Sequence, residues 1–276
     1  VRFVALGVRG STAAPGADFL RYGGHTSSLA VFADGEQTPQ VVLDAGTGVR
    51  DLSRLLGGAP YCGDVVLTHL HWDHVQGLPF CSSIDHPDAR VRLFVPVADD
   101  SADPAEALSG LMSAPYFPIG PDGLLGRWQF EALRTGRLDD RLTVAAVPHK
   151  GSETFGVRVT LDDVSLCYLP DHALHAATDP TAVSATENFV RGTQVLIHDG
   201  QFVAAEEAIA QAYGHATIEA TMAFADRAEV GTLVLTHHAP ARTDDALDEL
   251  AARYPTTPGG RPIAFLEQGR DWEVMR

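Results

Sequence analysis

Lysine is nearly missing from this chain. Lys150 is the only one among 276 residues, and the other 19 Lys-or-Arg positions are arginines. Thirty-six acidic residues stand against them, leaving a net charge of −16. That balance repels polyanions, because nucleic-acid binding depends on Lys and Arg neutralising phosphates. Long RNA or DNA is therefore not an expected partner, whereas a small anion stays open if metal ions supply local positive charge. Cysteine is scarce too: Cys62, Cys81 and Cys167 are odd in number, widely spaced and lack a C-x-x-C pair. A disulfide framework and a cysteine zinc site are both disfavoured, and a reducing cytoplasm is the expected setting. No apolar run approaches the ~20 residues that a membrane span needs, so no membrane association is expected. The opening VRFVALG carries one arginine and then alternates like a strand, unlike a signal peptide.

What is present is ordinary for a globular chain, with 45% apolar and 20% charged residues. The length allows one large domain or two small ones. Short apolar runs alternate with helical patterns, without internal repeats. VVLDAG (41–46), DVVLTH (64–69), LTVAAVPH (142–149), TFGVRVTL (154–161) and VSLCYLPD (164–171) read as strands. So do QVLIHDG (194–200), TLVLTHH (232–238) and a closing PIAFLEQG (262–269), while helices are predicted near 47–56 and over 203–212, 216–228 and 243–254. The pattern predicts an α/β (α+β) fold, an αββα sandwich of two mixed β-sheets flanked by helices. The segment 97–135 breaks the rhythm, being rich in Pro and Gly yet carrying Met112, Tyr116, Phe117 and Trp128. It reads either as an inserted helix plus a lid over a site or as a loop packed on the core.

Asp44, His69, His149, Asp171, Asp199 and His237 each lie at or just past the C-terminal end of an apolar run. Strand ends that gather at one sheet edge hold loop residues rigidly, which suits an active site. The densest signal is HLHWDH, with His69, His71, Asp73 and His74 inside six positions. His69 and His71 are two apart in an extended segment, so they face the same way and can share a metal. Asp73 and His74 follow where the chain turns toward a helix at Val75 and can face a second metal nearby. A chance cluster of surface histidines is the plain alternative. His149, Asp171 and His237, each ordinary alone, complete two sites when taken together.

These residues carry a family resemblance. THLHWDH resembles the H-x-H-x-D-H signature of metallo-β-lactamase-fold hydrolases, and LDAGTG is similar to that family's first Asp motif. The resemblance covers nearly all the chain and implies a single domain over 1–276. It is closest to the phosphodiesterase branch, which includes the 3′-tRNA endonuclease tRNase Z and cyclic-phosphate phosphodiesterases. GVRGSTAAPGADFLRYGGHTSS (7–28) resembles the glycine-rich opening of bacterial cyclic-nucleotide phosphodiesterase-like members, which commonly carry Asn where this chain has His25. VPHKGSETFGVRV, LIHDGQF and YGHAT also match segments of that branch.

The resemblance implies two divalent metal ions, with Zn2+ expected and Mn2+ or Fe2+ as alternatives. His69, His71 and His149 would bind one; Asp73, His74 and His237 would bind the other; Asp171 would bridge both. Asp44 would hold the ligand loop through hydrogen bonds. His238 competes with His237, and the family pattern favours the first of the pair. His71 stands where redox di-iron relatives typically carry Glu, which fits the hydrolytic pattern. GHAT places His215 at a helix start, resembling the H-x-T motif of the branch, and Asp199 stands where relatives carry the acid that orients this histidine. The resemblance thus implies His215 as general acid, Asp199 as its partner and Asp73 as a ligand that also orients the attacking water. From spacing alone, His215 as a helix cap and Asp199 as a turn residue remain equally open. His25, His86, His172, His175 and His198 read as surface or packing residues, with substrate contact open for His25 and His172.

A small phosphodiester such as a cyclic nucleotide or another cyclic phosphate fits these constraints best. The chain lacks the basic, glycine-rich arm with which tRNase Z grips its substrate. Pro-Tyr-Phe-Pro (115–118) offers an aromatic surface for stacking a base. Two other readings stay open: hydrolysis of a lactone, thioester or other acyl substrate at the same dinuclear site, and a non-catalytic metal- or ligand-binding domain. Relatives are often dimers, so a homodimer is expected.

Overall fold

Most of the central strands are buried on both faces, and those two faces sort the chain into layers. The computed structural model describes residues 1–99, 102–151, 153–175 and 177–275. The first half supplies β1 (Arg2–Gly7), β2 (Ser28–Phe32), β3 (Val41–Leu43), α1 (Asp51–Leu55), β4 (Cys62–Val66), α2 (Trp72–Val75), β5 (Arg90–Pro96), α3 (Pro104–Ser109) and β6 (Arg127–Leu133). The second supplies β7 (Gly136–Arg137), β8 (Leu142–Ala146), β9 (Phe155–Leu161), β10 (Val164–Leu169), α4 (Pro180–Val190), β11 (Val195–Asp199), α5 (Glu207–Tyr213), α6 (Ile218–Arg227), β12 (Thr232–Thr236), α7 (Asp244–Arg253) and β13 (Ile263–Phe265). A last strand, β14 (Asp271–Glu273), returns to β1. The sheets run β14-β1-β2-β3-β4-β5-β6 and β13-β12-β11-β10-β9-β8-β7.

Successive residues of a strand face opposite ways. Phe3 and Ala5 therefore enter the apolar cluster between the sheets, while Val4 and Leu6 join the one beneath α1, α2 and α3. Leu166 and Tyr168 meet the inner cluster, and Cys167 and Leu169 face a third one under α4, α6 and α7. One cluster between the sheets and one on each outer face are what an αββα sandwich requires. The predicted architecture is the observed one.

Strand direction then places the site. β3 to β6 are mutually parallel, and so are β10 to β13. β8 and β10 both pair antiparallel with β9, so β8 points the same way as β10. The residues that follow β3, β4, β8, β10, β11 and β12 consequently leave their sheets at the same ends. In open parallel sheets that end is where ligands bind.

Some boundaries differ from the sequence reading. The helix predicted near 47–56 starts as a 3-10 turn, Thr47–Arg50, and the one over 203–212 starts as the turn Ala204–Glu206. PIAFLEQG is not the closing strand, because β14 follows it; three residues are too few for alternation to register. Within 97–135, residues 100 and 101 lie outside the described residues. The rest holds the crossover helix α3, whose N-terminus Asp103 caps by accepting from Ala105 N at 2.8 Å, and the edge strand β6. Leu108 and Met112 pack into the outer cluster, while Tyr116 is 83% exposed.

Candidate active site

The loop after β4 brings His69, His71, Asp73 and His74 to the sheet edge, with His71 as the N-cap residue of α2. The helix thus begins at Trp72, earlier than the turn toward Val75 read from the sequence. His149 follows β8, Asp171 follows β10, and His237 follows β12 at a positive φ of 57°. A non-glycine residue in that region stores about 1–3 kcal/mol of strain and persists only where its surroundings dictate it. The amino-terminal segment does so here. His238 N donates to Val8 O at 2.9 Å, and Gly10 N donates to His238 O at 3.0 Å.

These seven side chains form two groups that share Asp171. In one, His149 Nε2 lies 3.4 Å from His71 Nδ1 and 3.4 Å from Asp171 Oδ2, and His69 Nε2 lies 3.5 Å from the same oxygen. In the other, Asp171 Oδ1 lies 3.2 Å from His74 Nε2 and 3.1 Å from His237 Nε2. Asp73 Oδ2 is 3.3 Å from His74 Nε2 and 3.2 Å from His237 Nε2. Each carboxylate oxygen of Asp171 faces a different group.

The far sides of the rings explain why these nitrogens point inward. His74 Nδ1 donates to Asp44 Oδ2 at 2.8 Å, and His149 Nδ1 donates to Gly214 O at 2.7 Å. His69 Nδ1 lies 3.1 Å from Thr68 Oγ1, which in turn donates to Asp44 Oδ2 at 3.0 Å. A hydrogen on Nδ1 leaves the Nε2 lone pair free for a cation. His69 Nε2 and Asp171 Oδ1 are buried without a hydrogen-bond partner, an expensive arrangement unless something else satisfies them.

The electrostatics of three of the histidines agree with that picture. Burial lowers the pKa of His69 well below the usual histidine value, and it also lowers His71 and His149. All three favour the neutral, metal-binding form. Burial opposes a charge on His74 as well, but Asp73, Asp171 and Asp44 together raise its pKa well above normal. Burial would raise Asp171, yet His237, His74 and His69 hold it well below the carboxylate range. Asp73 is likewise lowered by His74 and His237 against its burial.

Beside these groups stands a third arrangement. His215 Nδ1 donates to Asp199 Oδ2 at 2.7 Å, and Gln201 N donates to Asp199 Oδ1 at 3.0 Å. Burial lowers His215, but the Asp199 charge and hydrogen bond outweigh it and push the value up to about 9. Asp199 is itself held low by His215 despite complete burial. His215 precedes the N-cap of α6 by two residues; the cap is Thr217, whose Oγ1 accepts from Ala220 N at 3.2 Å.

The other histidines separate cleanly. His238 is buried away from the groups, its Nε2 donating to Leu266 O at 3.0 Å, so His237 is the member of the pair that faces them. His172 and His198 are buried 2.8 Å from each other, and His25 lies 3.2 Å from both Thr47 Oγ1 and Arg50 Nη2. Tyr116 is exposed, and Phe117 lines a separate apolar groove with Trp72 and Phe80. The aromatic surface on the site cavity comes instead from Phe202 and Tyr213. Sequence reading missed both, along with Ser11, whose N–H donates to Asp73 Oδ2 at 2.7 Å. The signal available was their place in LIHDGQF, YGHAT and the glycine-rich opening, segments that resemble the family.

A family model described as a beta-lactamase superfamily domain matches residues 40–238. The ribonuclease Z of Shouchella clausii (strain KSM-K16) is 28% identical over 242 residues, covering 69% of this chain and 74% of its own length. A diphosphatase from the PhnP family superposes with a TM-score of 0.71 at 18% identity, covering 99% of this chain and 98% of that one. YhfI of Bacillus subtilis, a metallo-β-lactamase fold protein, superposes with a TM-score of 0.70 at 18% identity over 99% of both chains. The two structural likenesses speak for the fold, and the family model, spanning well over half the chain, speaks for the family. The chain belongs to the β-lactamase superfamily, as a metal-dependent hydrolase with the metallo-β-lactamase fold.

Proposed function

We propose that the chain is a dinuclear metal-dependent phosphodiesterase acting on small phosphodiesters such as cyclic nucleotides or other cyclic phosphates. The residues suit two divalent cations, zinc first among them. Four ligands about 2.0–2.1 Å from one cation stand about 3.3–3.4 Å apart in a tetrahedron. The contacts of 3.4 and 3.5 Å in one group and of 3.1 to 3.3 Å in the other lie around that spacing. His69, His71 and His149 would hold one cation and Asp73, His74 and His237 the other, with one oxygen of Asp171 on each. Bound divalent cations supply Lewis acidity, lowering the pKa of water and neutralising charge on phosphate.

The observation that carries the reading is the His215–Asp199 pair at 2.7 Å, opening on the cavity beside both groups. Asp199 fixes hydrogen on Nδ1 and favours the imidazolium, so Nε2 presents a proton. As the P–O bond breaks, that proton passes to the leaving alkoxide, and solvent then reprotonates the imidazole. His215 also lies close to Asp171 and His237, and its hydrogen bond to Asp199 is what assigns it here to the donor role. A phosphodiester with an alkoxide leaving group needs such a donor. The relatives named ribonuclease Z and the diphosphatase also act, by name, on phosphate linkages. A net charge of −16 speaks against long nucleic acid.

Metal analysis coupled to a substrate panel tests this. The panel holds bis-p-nitrophenyl phosphate, 2′,3′- and 3′,5′-cyclic nucleotides, a precursor tRNA and a lactone. Turnover of the cyclic phosphates with two metals bound is expected. Turnover of the lactone alone would refute the proposal in favour of acyl hydrolysis.

A further inference from the structure

The cavity over the ligand groups, about 630 Å³ in volume, has two unlike sides. Its floor is the histidine and aspartate cluster. Its apolar lining comes from Phe202, Ile209 and Tyr213 and from Ala239, Pro240 and Ala241. Ile209 and Tyr213 are 49% and 64% exposed, although large apolar side chains are normally covered. They lie four residues apart on α5, hence on one face of that helix, while Ala210 on another face is buried.

The wall is held in place from below. α5 ends at Gly214 in the left-handed conformation, and Gly214 O accepts from His149 Nδ1 at 2.7 Å. Lys150 Nζ donates to Ala212 O at 2.6 Å, which ties the last turn of the helix to the same strand end. The Phe202 ring lies 5.7 Å from the His215 ring, centroid to centroid. The apolar wall therefore stands on the proton-donor side of the cavity. Among the described residues no lysine or arginine lines it. Glu206 does, and its carboxylate is already engaged by Arg242 Nη2 at 2.8 Å and Val203 N at 2.9 Å.

We propose that Phe202, Ile209 and Tyr213 form a leaving-group subsite for the flat, uncharged ring of a singly charged phosphodiester, and that its lack of lysine and arginine disfavours substrates with a second phosphate. The inference rests on the phosphodiesterase reading and narrows its substrate class. A ring laid on this wall buries apolar surface on both partners and stands next to the proton donor, so it belongs to the departing alcohol. A second phosphate on this wall would meet the Glu206 carboxylate and, among the described lining residues, no lysine or arginine.

Two strained five-membered cyclic phosphodiesters make the test: 2′,3′-cyclic AMP, and ethylene phosphate, which has the same reacting ring and no nucleoside. Tyr213 is exposed enough to be replaced without loss of core packing. Tyr213→Ala is expected to lower kcat/KM for 2′,3′-cyclic AMP about ten-fold or more, mainly through KM, because base stacking on an aromatic side chain has that order of worth. Ethylene phosphate turnover is expected to stay unchanged, and Tyr213→Phe should retain activity on both. The parent enzyme should also prefer 2′,3′-cyclic AMP at least ten-fold over its 5′-phosphorylated analogue. Equal loss on both substrates, or no loss on either, would overturn the subsite. A parent enzyme inactive on every phosphodiester would instead overturn the phosphodiesterase reading, and the subsite with it.

Discussion

Replacing Asp199 with Asn tests the proton-donor role of His215 with almost no change in shape. Asp199 is fully buried, and Oδ2 accepts the His215 Nδ1 hydrogen at 2.7 Å. His215 stands at about 9 because that carboxylate overrides the burial that would lower it. With a neutral amide in its place the largest raising influence is gone, and the value falls as burial meets only the charges of Asp171 and Asp73. The protonated fraction near neutral pH then drops. Bound cations lower both values together, so the displacement between the two proteins is the quantity to measure. The assay is the pH dependence of kcat for a cyclic nucleotide and for bis-p-nitrophenyl phosphate, with metal content measured in parallel. Asp199→Asn should keep its metals, lose about 10²–10⁴-fold on the cyclic nucleotide, and move the alkaline limb of its profile to lower pH. The activated nitrophenyl ester, whose leaving group needs no proton, should lose far less. Equal losses on the two substrates, or an alkaline limb that does not move, would refute the general-acid role. Stability gives an independent check in metal-free protein. The folded-state pKa of His215 lies above its unfolded value, so the pair stabilises fully below about pH 6.5 and that contribution is lost as pH rises through about 9. Asp199→Asn should lack this alkaline loss.

Two further substitutions probe the frame around the site. A Cβ built on Gly10 would overlap the His237 imidazole, so Gly10→Ala should displace that ring and lower the metal content from two ions toward one. Elemental analysis showing two ions per chain would contradict this. His238, fully buried, has its pKa lowered to about 3 by burial, so its neutral form stabilises the fold above about pH 6.5, and that stability is lost as pH falls toward 3. His238→Asn keeps a donor toward Leu266 O without the titration. Its metal-free unfolding free energy should therefore decline by about 3 kcal/mol less than the parent's between pH 7 and pH 4, and parallel declines in chemical denaturation would rule the account out.

HLHWDH was legible as a candidate ligand segment because metal ligation calls for His and Asp, and a strand end is where they can converge, as these side chains do. The αββα architecture was legible for a similar reason. Short continuous apolar runs in β1, β4 and β10 through β12, strands buried on both faces, leave an imprint on sequence that needs no partner to be read. What a pattern could not carry was anything decided between distant segments. His237 and His238 are adjacent and chemically identical, and only the amino-terminal segment clamped on His238 turns one ring to the metal groups and the other to Leu266. Tyr116 and Phe117 looked like the aromatic surface of the site, yet they belong to the β5–β6 crossover and lie outside the cavity lining. Phe202 and Tyr213 became its wall because α5 is tied to His149 and Lys150 across the sheet edge, through hydrogen bonds that no local spacing encodes. Local chemistry, set by composition and periodicity, thus determined which residues could bind metal and which layers could form. Tertiary packing decided which of two equal side chains faces the site and what surface a substrate meets, because those outcomes depend on contacts between residues far apart in the chain.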